Sequence, residues 1–397
     1  MPQAMGETSN PLLPSGRGSG DKVSSDIAVI LRASRLVEQV RYGLVGTGMM
    51  GVEHLQNLAI TPGAVVTALA DPVERSLAWA KKALGDKADD VQVFSDAAAL
   101  AASGEVDAVI VASPNQTHRE VLAPLFDAGL HILCEKPLAT TMADARWIVD
   151  RAAQSPAVFW TAMEYRYMPP AVAFIDAIAA GEIGALRMLS IREHRFPFLP
   201  KVGDWNRFSR NTGGTMVEKC CHFFDLMRLI VGAEPVRVYC SGAMDVNHLD
   251  ELYDGATPDI IDNSYTTVDF ANGVRAMLDL SMFAEGAENQ EEIAAVGDKA
   301  RLEVFIPSGE LVLSRRTGFM QPKDVTRRVV ETDAAALKAG SHHGSTFYEH
   351  QNFNAAVRGE GPVEVTAEDG LRAVAIGTAA EISAREHRVV AMSELGL

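Results

Sequence analysis

The sequence predicts an α/β protein: a doubly wound parallel sheet, then an α+β domain built on a mostly antiparallel sheet. Three observations carry that expectation. Short apolar runs alternate with helix-like segments from residue 40 to residue 157, the rhythm of βαβ units. The first run, Val40-Arg41-Tyr42-Gly43-Leu44-Val45, ends in glycines spaced Gly46-x-Gly48-x-x-Gly51 that open a helix-like segment. Beyond residue 158 short strands follow one another, joined by turns such as Ala271-Asn272-Gly273, which suits antiparallel pairing.

Residues 1–24 are rich in Gly, Ser, Pro and Asn and read as a disordered tail. Residues 25–39 place Ile27, Ile30, Leu31, Leu36 and Val37 at helical spacing, so a partly amphipathic helix is expected. The strand at 40–45 is followed by a second at 64–70, a helix at 74–84, a short strand at 91–94 and a short helix at 96–102. Residues 106–112 form a continuous apolar run, as in a strand buried on both faces. A helix at 117–128, a strand at 131–134 and a helix at 142–153 complete a nucleotide-binding unit over residues 40–157. Residues 158–397 read as a domain for substrate binding and oligomerisation. Alternation in Ala276-Met277-Leu278-Asp279-Leu280-Ser281 implies a sheet covered on one face, and helices at 347–357 and 367–386 close the chain.

Composition narrows the class. At 397 residues, 47% hydrophobic and 22% charged, the chain is long enough for two packed domains. A formal net charge of −16 argues against nucleic acid or an anionic membrane as partner. No apolar run approaches a membrane span, and no basic-then-apolar leader opens the chain. Cys134, Cys220, Cys221 and Cys240 make no disulfide framework and no metal-ligand spacing, so no metal and a reducing cytoplasm are expected.

The glycine stretch has a chemical reading of its own. Gly46 permits the tight turn, Gly48 removes a Cβ where a pyrophosphate approaches the backbone, and Gly51 lets the helix pack on the strand. The N–H groups of Thr47, Met49 and Met50 then lie at the positive end of a helix, ready for phosphate. Asp71 ends the second apolar run, placed for the ribose hydroxyls of an adenosine. Together these predict a Rossmann-type dinucleotide domain. A carboxylate at 71 favours NAD over NADP, while nearby Arg75 leaves NADP open. Further candidates follow other strands of the run, where such sheets bind ligands: Ser113-Pro114-Asn115 and Glu135-Lys136-Pro137.

At Glu135-Lys136-Pro137 the chain resembles the glucose-fructose oxidoreductase / inositol dehydrogenase / rhizopine catabolism (Gfo/Idh/MocA) family. The glycine turn, Ser113-Pro114-Asn115-Gln116-Thr117-His118 and a later Gly213-Gly214 … His222-x-x-Asp225 agree with it in order. The resemblance implies a Rossmann domain followed by a large open-sheet domain, and hydride transfer between a nicotinamide and a sugar or polyol carbon. It implies that Lys136 hydrogen-bonds the reacting hydroxyl, that Glu135, Asn115 and His118 lie near the cofactor, and that His222 is the general base. His118 reads equally as a helix-face histidine. A lysine in a dry pocket loses part of its preference for charge, which suits proton traffic. The resemblance also implies a homodimer or homotetramer formed through the open sheet.

The family's second motif is commonly Asp-x-Gly-x-His-x-x-Asp, and here Glu218-Lys219-Cys220-Cys221-His222-Phe223-Phe224-Asp225 stands in its place. Positions 218, 222 and 225 fall on one face of a continuous helix. Glu218 and Lys219 depart from the pattern. Arg166, with Tyr165 and Tyr167 beside it, is a substrate candidate. Residues 187–219 carry net +4 in a chain of net −16. Arg195, Trp205, Asn206 and Lys219 in that stretch suit a sugar bearing an anion, and intersubunit salt bridges are the plainer explanation. Three functions are therefore weighed: an NAD-dependent sugar dehydrogenase with Lys136, His222 and Glu218 catalytic; a redox-neutral NAD-dependent glycosidase, for instance on a sulfoquinovoside, with Glu218, Tyr165, Tyr167 or His194 as added acid/base; and a non-catalytic nucleotide-binding regulator.

Overall fold

The computed structural model describes residues 39–397; the tail and helix expected over residues 1–38 lie outside the described residues. The first sheet has six parallel strands: β1 (Val40–Val45), β2 (Ala64–Ala70), β3 (Gln92–Phe94), β4 (Ala108–Val111), β5 (His131–Glu135) and β6 (Phe159–Ala162), in the order β3-β2-β1-β4-β5-β6. Helices α1 (Met49–Leu58), α2 (Glu74–Leu84), α3 (Ala97–Ala102), α4 (His118–Asp127) and α5 (Met142–Gln154) are the crossovers. Every residue of β4 and β6 is buried, which accounts for the uninterrupted apolar run of β4. Asp96 caps α3 by accepting from Ala99 N, and Thr141 caps α5 by accepting from Asp144 N.

One boundary moves. The sequence assigns the strand near residue 160 to the second domain, but β6 pairs in parallel with β5, Ile132 opposite Phe159 and Glu135 opposite Ala162. The parallel sheet therefore runs to Ala162. Periodicity misses this because a fully buried strand looks the same in either sheet.

After α6 (Pro169–Ala179) comes a nine-stranded sheet. Its strands are β7 (Leu186–His194), β8 (Pro235–Ala243), β9 (Asn263–Phe270), β10 (Arg275–Ser281), β11 (Glu291–Gly297), β12 (Ala300–Ile306), β13 (Glu310–Arg315), β14 (Asp324–Val329) and β15 (Val390–Ala391). The order is β14-β13-β12-β11-β7-β10-β9-β8-β15, antiparallel except for β7 with β10. In β10, Ala276, Leu278 and Leu280 are buried while Arg275 and Met277 are exposed, so one face carries a core and the other stays open. The short helices α7 (Ser209–Thr212) and α8 (Thr215–Glu218) lead into α9 (Cys221–Val231).

Helices α10 (Ala334–Ala339), α11 (Ser345–Val357) and α12 (Ala367–Glu386) close the structure. Helix α12 packs on β8, α5, α8 and α9, and so on both sheets' layers. Its alanines and glycines permit this: a Cβ on Gly377 would stand 2.6 Å from the Met216 carbonyl oxygen.

Candidate active site

The parallel sheet delivers its motifs to one cleft of about 770 Å³, lined by the glycine turn, Asp71, Arg75, Ser113, Asn115, Glu135, Lys136, Glu218 and the 200–205 segment. The turn is built as its spacing predicts. Gly46 has φ +91°, and a Cβ there would stand 2.5 Å from the Ala112 carbonyl carbon. A Cβ on Gly51 would stand 2.3 Å from the Gly46 carbonyl oxygen, whereas one on Gly48 would meet nothing and would project into open space. Met49 and Met50 line the cleft; Thr47 is buried and braces the turn. Asp71 Oδ2 accepts from Thr47 N at 2.7 Å and Thr47 Oγ1 at 3.0 Å, and its Oδ1 accepts from Val73 N at 2.8 Å. Arg75 lies over the Trp79 ring, 4.9 Å from its centre. Asn115 Nδ2 is buried without a hydrogen-bond partner in the structure, a donor set for a ligand. A backbone cradle that excludes Cβ atoms and an orphaned amide at its wall fit a dinucleotide.

His118 is turned away from the cleft. Its ring nitrogens meet the Leu138 oxygen at 3.3 Å and the Ser113 oxygen at 3.2 Å, and burial pushes it toward the neutral form. It ties the loop after β4 to the loop after β5. Glu135 lines the cleft but also receives His54 Nε2 at 2.9 Å, and His54 Nδ1 lies 2.8 Å from His350 Nε2.

Lys136 reaches the cleft across a cis bond to Pro137, and its Nζ donates to the Glu218 carbonyl oxygen at 3.3 Å. The expected loss of charge is not found. Burial pulls Lys136 down, but Cys221, Glu164, Glu135 and Glu218 outweigh it, so its pKa is raised and the ammonium persists. The Glu218 carboxyl shares the cleft and is raised by burial, against the charges of Lys201 and Lys136.

The helix through 218–225 is broken. The Glu218 carbonyl accepts from Lys136 Nζ and from Cys221 Sγ at 3.5 Å, and the helical pattern restarts at Cys221. Glu218 thus faces the cleft from α8, while His222 lies behind on α9, 1% exposed and stacked on Tyr165 with ring centres 4.1 Å apart. His222 is held neutral, first by burial and then by Lys136 and Lys219.

The second-domain candidates divide sharply. Arg166 and Asp225 satisfy each other, with Nε and Nη2 each 2.5 Å from a carboxylate oxygen. Lys219 Nζ is 3.1 Å from Glu193 and donates to Tyr165 Oη at 2.6 Å. Arg195 also pairs with Glu193, and Asn206 donates to the Leu199 carbonyl. None of these six, Tyr165 included, lines the cleft; Trp205 does. The basic stretch is mostly neutralised by Glu193, Glu251 and Glu292. Lys201 is different. It lines the cleft with no ion-pair partner among the described residues, and burial lowers its pKa. Lys201, Glu164, His342, His54 and His350 escape sequence reasoning. Only Lys201 has a visible signal, the charge of its stretch.

Fold and cleft together define an NAD-binding oxidoreductase of two domains. Residues 40–163 match the description "Oxidoreductase family, NAD-binding Rossmann fold" and residues 175–392 the same family's "C-terminal alpha/beta domain". The chain belongs to the Gfo/Idh/MocA family. It is 27% identical over 364 residues to the myo-inositol 2-dehydrogenase of Thermotoga maritima, covering 90% of this chain and 99% of that one. It is 27% identical over 340 residues to the rhizopine catabolism protein MocA of Rhizobium meliloti, covering 86% and 93%. The crystal structure of a probable dehydrogenase from Thermotoga maritima superposes with TM-score 0.72 at 26% identity, over 90% of this chain and all of that one. Among the described residues no helix is long and apolar enough to cross a membrane, no group of side chains could hold a metal ion, and the four cysteines are free and buried.

Proposed function

We propose that this protein oxidises a secondary hydroxyl of a sugar or glycoside. The observation that carries the reading is a charged Lys136 in the same cleft as the glycine turn. Gly46–Gly51, Asp71, Asn115 and Glu135 would hold the cofactor, and bound NAD supplies the hydride acceptor. Lys136 donates a hydrogen bond to the substrate oxygen and offsets the negative charge that develops there. As a held ammonium it is not the base. In this reading the base is His222, kept neutral behind the cleft. The relatives named for myo-inositol and rhizopine support a polyol or sugar substrate.

Lys201 favours an anionic sugar. A half-dry ammonium with no ion pair among the described residues is matched by a sulfonate, phosphate or carboxylate; Lys219 and Arg195, already paired, are not available for it. Glu218 favours a second reading, a redox-neutral glycosidase on such an anionic glycoside. A carboxyl that burial raises beside Lys136 is shifted in the direction a general acid needs. The open face of the second sheet, where Met188, Tyr239 and Tyr265 are exposed, supports a homodimer or homotetramer, and cytoplasmic residence accords with four free cysteines.

The test uses protein purified without added nucleotide. One portion is denatured to release bound NAD. The rest is incubated with NAD and neutral and anionic free sugars and aryl glycosides, following NADH and aglycone together. NADH from a free sugar supports the dehydrogenase. Aglycone without NADH supports the glycosidase. Tight nucleotide binding with neither signal contradicts both and points to a regulator.

A further inference from the structure

Behind the cleft lies a buried carboxyl that the sequence motifs do not explain. Glu164 sits in the turn after β6, 1% exposed, and neither of its oxygens has a hydrogen-bond partner in the structure. Its Oε1 is 3.4 Å from His222 Nε2. The His222 ring is fixed by its stack on Tyr165, and its other nitrogen, Nδ1, is without a partner. A buried carboxyl without hydrogen-bond partners is unfavourable, so its place against an imidazole calls for a role.

We propose that Glu164 is the proton acceptor behind His222, a positioning residue that lies against the imidazole's Nε2 and stores the proton released when the alcohol is oxidised. This rests on the sugar-oxidising reading above. The balance is simple. The carbon's hydride goes to the nicotinamide and the C–O bond becomes a carbonyl. The hydroxyl proton enters His222 at Nδ1 while the proton on Nε2 passes to Glu164, leaving a neutral imidazole and a carboxylic acid.

The surroundings favour this direction of transfer. Glu135 and Lys136 at the end of β5, Cys221 and His222 on α9, His342 ahead of α11 and Glu349 on α11 face this carboxyl, and α6 presents only apolar buried residues. Burial and then Glu135 raise Glu164 to about 7, against His342 and Lys136. His222 is pushed far below its ordinary value and Lys136 above its own. Of the three, Glu164 alone binds and releases a proton near neutrality.

Two arms test it on the NAD-loaded protein. In an infrared titration, a carboxylic-acid carbonyl band absent from Glu164→Gln and titrating near pH 7 is expected. A Glu164 band titrating in the ordinary carboxylate range, or none sensitive to the substitution, overturns the proposal. In steady-state kinetics with the sugar that yields NADH, wild-type kcat falls as pH drops below 7. Glu164→Gln is expected to lower kcat about 10²-fold, leave KM within about threefold and lose that acid limb, and Glu164→Asp to restore the limb. A Gln variant that keeps the limb overturns the proposal. Failure of the underlying reading shows separately, as no NADH from any sugar, while the infrared titration still decides whether Glu164 stores a proton at neutral pH.

Discussion

The two halves of the cleft are made of different material. The nucleotide half is backbone: a turn with no room for a Cβ at Gly46 or Gly51, braced by Asp71 on Thr47 and Val73. The substrate half is charge: Lys136, Glu218 and Lys201 in the cleft, with Lys219, Glu193, Glu164 and His222 buried behind. The first half depends on shape, and a substitution there meets atoms that cannot move. The second depends on which charges are compensated, and a substitution there is costly or mild according to the partner left behind.

Predictions that probe this contrast run from large to small. Gly46→Val adds a branched side chain at φ +91° against the Ala112 backbone; unfolding free energy is expected to fall by about 4–5 kcal/mol, beyond the usual range for single substitutions, with NAD binding lost in calorimetry. Lys219→Met leaves Glu193 and Glu291 buried without the ammonium beside them, and urea unfolding is expected to show a loss of about 3–5 kcal/mol. Lys136→Met is expected to lower kcat about 10²–10³-fold while NAD still binds, since the nucleotide half is untouched.

A fourth prediction adds stability. Glu381 accepts from Met216 N beneath α8 and is raised by burial from 4.5 to about 7. The folded state then binds more protons than the unfolded one between those values, so stability falls as pH rises from 4.5 through 7. Glu381→Gln keeps an acceptor and removes the charge. It is expected to stabilise the protein on the order of 3 kcal/mol at pH 8 and to have little effect at pH 4. Smallest is Lys201→Met. With no ion-pair partner to strand, its stability is expected within about 0.5 kcal/mol of wild type, and KM for an anionic sugar is expected to rise about tenfold, as for one lost charged hydrogen bond.

The same contrast explains what the sequence makes legible. Gly46, Asp71, Asn115 and Lys136 each follow an apolar strand at its carboxyl end, so local pattern places them in one cleft. The substrate half is fixed by partners far apart in the chain. Arg166 looks like a substrate ligand until Asp225 is seen to take its Nε and Nη2 and the Glu364 carbonyl its Nη1, and Lys219 looks like an anion site until Glu193 from β7 neutralises it. Nothing in the spacing of Glu218 and His222 shows that Lys136 and Cys221 draw on the Glu218 carbonyl where the helix breaks. Glu164 carries no motif; only its burial against His222 distinguishes it from any other glutamate.

The most direct measurement of the central claim is label transfer. The protein is incubated with NAD and carbon-deuterated polyols, free sugars and aryl glycosides, and the nicotinamide is examined by mass spectrometry. One deuterium on the reduced nicotinamide per oxidised sugar, formed about 10²–10³-fold more slowly in Lys136→Met with NAD affinity unchanged, is the predicted result. No deuterium on the nicotinamide with any sugar, while NAD binds normally, would contradict the account.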